Sequence, residues 1–158
     1  MKKNEIDSLV EALKKVPVAK IKDGELKKGV INSYMGLLSE QRKLQEKKSD
    51  LQTMFLSQHK DEQVEVAKLY KQLRSEKDPE KRASIASEFE KHGDCILAAE
   101  ALAVELKKLG EEPVSIASFD GEQFVAAYTE MEECDLSVIA ALYPLFNKKE
   151  ETPCQTED

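Results

Sequence analysis

The chain has 158 residues, 41% of them hydrophobic and 35% charged, with only 6% aromatic residues, no Trp, six Gly and five Pro. High charge with few turn-formers fits long, partly solvated helices and excludes a sandwich or barrel, which would need more turns. The net charge of −7 gathers late: residues 111–158 hold two basic residues against twelve acidic ones. That balance argues against a binder of nucleic-acid backbone, which works through clustered Lys and Arg.

Residues 4–16 place Ile6, Leu9, Val10, Leu13 and Val16 on one helical stripe, ended by Pro17. So short a helix is marginal alone, so it is expected to fold back on the rest of the chain, or else to dock on a second one. Residues 18–22 read as an extended connector. Asp23-Gly24-Glu25 then offers an N-cap.

From there Val30, Leu37, Leu44 and Leu51 recur every seven residues, with Tyr34 and Phe55 on a companion row that also holds Gln41 and Lys48. This is the seam of a coiled coil. A second row runs through Ile85, Phe89, His92, Ile96, Ala99, Ala103 and Leu106. Between the two rows, Asp78-Pro79 marks a turn and a new helix start. The spacing predicts an all-α fold built on a long antiparallel hairpin, about 24–76 and 79–109. Its first arm either runs unbroken or kinks near residues 58–61, and its second is weakest at His92-Gly93-Asp94. Gly29 and Gly36 suggest close approach of another backbone, such as the N-terminal helix. Cys95–Val104 is the most apolar stretch and is expected to be the best buried. Leu109-Gly110 reads as a helix stop with glycine in a left-handed cap.

Residues 112–119 read as an extended lead-in, a strand only if it pairs with residues 18–21 or with another chain. Asp120-Gly121-Glu122-Gln123 repeats the earlier opening and resembles a capping box. Two short helices follow, carrying Phe124, Tyr128 and Met131, then Leu136, Ile139 and Leu142. One domain over 1–146, with an acidic module at 113–146, and a disordered tail at 147–158 complete the expected organisation.

Chemistry is sparse. No nucleotide loop, nucleophile elbow or HExxH occurs, and there are two histidines in all. His92 and Cys95, three apart, could be half a metal site, with Cys134 and Glu133 or Asp135 as the remainder. The plainer expectation is a seam histidine bonded across the hairpin, a small buried Cys95 and a solvated His59, and hence no metal and no cofactor. Three scattered cysteines are no disulfide framework and suit a reducing compartment. There is no apolar leader and no membrane-spanning run.

The function expected is that of a non-enzymatic interaction or structural protein, acting by self-association or on a protein partner, with no nucleic acid and no membrane involved. Phage or mobile-element scaffolds and adaptors are the concrete subclass, cytoplasmic or in the virion. The contact residues expected are Leu37, Leu44, Leu51 and Phe55 on the hairpin and Phe124, Tyr128, Glu130, Glu132, Glu133 and Asp135 in the C-terminal module. The alternative is a small acidic inhibitor that covers a basic surface of its target through residues 111–146.

Overall fold

The computed structural model describes residues 1–147. Of the tail expected at 147–158, only Asn147 falls within them. The described residues form α1 (Ile6–Lys14), α2 (Gly24–Leu56), α3 (Lys60–Ser75), α4 (Pro79–Glu90), α5 (Gly93–Glu111), α6 (Gly121–Thr129) and α7 (Leu136–Leu142), with short 3-10 turns between α1 and α2 and between α2 and α3. Extended pairing among them is limited to two isolated bridges. The fold is all-α with a long helical hairpin. Its contacts gather into two compact units: residues 1–42 with the described residues after 112, and residues 43–112.

In the first unit the α1 stripe is spent inside the chain. Ile6, Leu9, Val10, Ala12 and Leu13 are buried, the helix packs on α7, and Asp7 accepts a hydrogen bond from Gln41 of α2. Val18–Lys20 forms a 3-10 turn, not the extended connector expected.

The approach to Gly29 and Gly36 comes from the segment that follows α5, not from the N-terminal helix. A Cβ on Gly29 would meet Phe119 Cβ at 3.0 Å, and one on Gly36 would touch Ile116. Between them the fully buried Ser33 donates to the Ala117 carbonyl at 2.6 Å. Gly29, Ser33 and Gly36, spaced by four and three, thus form a small-residue groove on α2. The extended segment is fixed at both ends. Val114 N–H donates to the Met1 carbonyl, Phe119 N–H to the Leu145 carbonyl, and Asn147 N–H to the Phe119 carbonyl. These partners stand in place of residues 18–21, and the segment lies along the small-residue groove of α2. Phe119, Phe124, Tyr128 and Phe146 close the core as a ring cluster with centroids 5.2–5.8 Å apart.

The helix starts follow the sequence. Asp23 accepts from Leu26 N–H, Asp78 from Glu80 and Lys81, Asp120 from Gln123, and Asp135 from Ser137. The end of α5 does not. No described glycine has positive φ; the helix runs through Gly110 to Glu111 and stops before Pro113, whose ring disfavours helix in the residue ahead of it.

The two Asp-Gly-Glu openings separate by test. A Cβ on Gly24 meets nothing within 4 Å, whereas one on Gly121 would lie 2.6 Å from Phe146 Cγ. Gly121→Ala should therefore cost about 1–3 kcal/mol by overpacking, and Gly24→Ala should stay within about 0.5 kcal/mol of the parent. Urea unfolding of the two variants measures the contrast.

Candidate functional site

Residues 43–112 form the second unit: the end of α2 and the hairpin of α3, α4 and α5. Both arms are interrupted. The first breaks in a 3-10 turn at Ser57–His59, the kinked form of the long helix. The second breaks at Lys91-His92, between α4 and α5.

Each break ends in the same way. His59 is the N-cap of α3 and His92 is the N-cap of α5, and neither imidazole makes a capping hydrogen bond. Three residues on, at the third position of each helix, stand Glu62 and Cys95. The antiparallel hairpin brings these pairs together. Glu62 Oε2 lies 3.3 Å from His92 Nδ1, and Glu62 Oε1 lies 3.6 Å from His59 Nδ1. One donor atom from each of His59, Glu62 and Cys95 lies within 4.8 Å of the others. The bond from His92 across the hairpin meets expectation. The position of His59 does not: its side chain is only 19% exposed, not solvated, and its Nδ1 is buried with no hydrogen-bond partner. Cys95 is 2% exposed. Burial, and then the negative charge of Glu62, push its thiol above the ordinary value. Cys134, Glu133 and Asp135, the expected remainder of a site, belong to the other unit.

The packing around this cluster is thin. Only Leu44, Leu69, Cys95, Leu102 and Leu109 are buried in the second unit. On α5 the buried residues are Cys95, Leu102 and Leu109, spaced by seven. The row expected to form the seam is only partly covered: Ile96 and Leu106 are half-buried, and Ala99 and Ala103 are exposed. Leu97 and Val104 are 64% and 53% exposed. The stretch expected to be best buried is thus apolar on nearly every side and covered on one. A helix with several apolar stripes leaves the seam undetermined from spacing alone, because the opposing arm can fill only one.

The expected row lines an open apolar groove of about 560 Å³, walled by Leu56, Val66, Tyr70, Phe89, Ile96 and Ala99, with Cys95 at its base. Arg74 lies over the outer ring, Tyr70, 5.9 Å from its centroid.

The expected contact residues divide. Leu37, Leu44, Phe124 and Tyr128 are buried and serve the core. Leu51 and Phe55 are half-buried, and Leu51 borders a smaller cleft with Lys47 and Leu109. Glu130 and Glu132 are exposed. Glu133 pairs with Lys20, whose hydrogen bond holds its carboxyl below the ordinary value, and Asp135 is spent as the α7 cap. Sequence reasoning missed Glu62 as the hub. The signal available was the repeated spacing, His-x-x-Glu and His-x-x-Cys.

No family model, curated protein or solved structure matches the chain.

With so few buried residues, the second unit depends on each one. Leu102→Ala should cost about 2–5 kcal/mol and Val64→Ala, at an exposed position of α3, no more than about 0.5 kcal/mol, read as shifts in the urea midpoint of the full chain.

Proposed function

We propose that the protein is a non-enzymatic helical interaction protein that associates with a second copy of itself through the open groove of the 43–112 hairpin. The observation that supports this reading is the second apolar row of α5. Ile96 and Ala99, with Phe89 of α4, line a groove that the facing Leu56, Val66 and Tyr70 of the other arm leave open, while Leu97 and Val104 stand exposed on α5. Leaving such area in water forgoes about 25 cal/mol per Å², and contiguous apolar patches of this kind mark interaction surfaces.

A second copy is the occupant that fits best, because the hairpin carries both halves of the contact. Its groove accepts an amphipathic helix, and Leu97 and Val104, one heptad apart, offer such a face on α5. Two copies related by a two-fold axis would each give and receive that helix, the arrangement of most homodimers. A scaffold or adaptor role would suit a protein that assembles in this way. The acidic-inhibitor reading has less support, since Glu133 and Asp135 are already engaged within the chain.

Ala67 and Ala99 border the groove and are exposed, so charge there leaves the fold intact. Light scattering on size-exclusion fractions should show the parent as a dimer or larger, with a mass insensitive to salt. Ala67→Glu combined with Ala99→Glu should give the monomer mass with unchanged helicity. A parent that is monomeric at every concentration, or a variant of unchanged mass, contradicts the reading; capture of a foreign protein by a monomeric parent would point to a hetero-partner instead.

A further inference from the structure

We propose that His59, Glu62, His92 and Cys95 form a divalent-metal site, for which zinc is the best-suited ion, clipping the two broken arms of the hairpin together.

Three observations carry it. The first is placement. The chain has two histidines, and both occupy helix N-caps, where Ser, Thr, Asp or Asn would bond the exposed N–H groups. Neither does any capping. Both instead flank the carboxylate of Glu62, one on each oxygen.

The second is the orphaned nitrogen. His59 Nδ1 is buried without a hydrogen-bond partner, and such a group costs stability unless something satisfies it. At 3.6 Å from Glu62 Oε1 it is too far for a hydrogen bond.

The third is the donor set. Two imidazoles, a carboxylate and a thiol are the ligand types of four-coordinate zinc, and their mix of nitrogen, sulfur and oxygen suits zinc better than the hard cations magnesium and calcium. Bonds of 2.0–2.3 Å in a tetrahedron put donors about 3.3–3.8 Å apart. The His59, Glu62 and Cys95 atoms lie within 4.8 Å of one another, and His92 stands 3.3 Å from Glu62 alone, so three donors are gathered and side-chain rotation at the start of α5 would bring the fourth. On binding, the Cys95 thiol gives its proton to solvent and the sulfur binds as thiolate. The positive ends of α3 and α5 favour the carboxylate and the thiolate at the third position of each helix. Cys95 also floors the groove, so the ion would hold the walls of that surface in place.

Cobalt(II) reports the site directly. Titrated into the reduced, chelator-treated full chain, it should bind once per chain, show a thiolate-to-cobalt charge-transfer band with tetrahedral ligand-field bands, and be displaced by zinc. Cys95→Ser should abolish the charge-transfer band, and Glu62→Gln should weaken binding at least about tenfold. A Cys134→Ser, Cys154→Ser double variant should bind as the parent does. Far-ultraviolet circular dichroism checks that each variant folds, and His59→Ala serves where Cys95→Ser does not. The proposal fails if cobalt does not saturate at one per chain, if the thiolate band is missing, or if it survives Cys95→Ser or vanishes in the double variant.

Discussion

A helical hairpin can bury one stripe of each arm and no more. In residues 43–112 that limit governs what the rest of the structure can be. The α5 helix carries an apolar row at Cys95, Leu102 and Leu109, a second at Ile96, Ala99 and Ala103, and a third at Leu97 and Val104. The opposing arm covers the first. The second is left as the wall of a groove, and the third faces solvent. A helix that is apolar on most sides belongs inside a core, and the hairpin alone cannot build that core. The proposed self-association follows from this shortage.

The first unit is built differently. Its short helices α1, α6 and α7, the start of α2 and the segment 113–119 close a well-filled core of aliphatic side chains and stacked aromatic rings. Small residues make this possible. Gly29, Ser33 and Gly36 let an extended backbone lie against α2, and Ser33 donates to the Ala117 carbonyl of that segment. Phe124 and Tyr128, which from composition look like contact residues for a partner, are consumed by this core.

What was legible in the sequence was local. The heptad spacing of Leu37 and Leu44, the Asp78-Pro79 start, the Asp120 and Asp135 caps and the fragility around His92 depend on neighbours in the chain, and the structure agrees with them. What was not legible depended on pairing across distance. Spacing presents the rows of α5 as equals, and only the opposing arm selects Cys95 and Leu102 over Ile96 and Ala99. Gly29 and Gly36 announce a close approach without saying that Phe119 and Ile116 make it. His59 looks solvated until the hairpin's two breaks fall opposite each other and Glu62 gathers both histidines.

The central proposal is that a second copy of the chain covers the open groove of the 43–112 unit. Amide hydrogen exchange on the full chain, at low and at high protein concentration, tests it residue by residue. The account predicts that amides of α3, α4 and α5 around Ala67, Phe89 and Ala99 gain protection as the protein is concentrated, while those of α1, α6 and α7 stay as they were. Protection independent of concentration throughout, or gained only in the first unit, would contradict it.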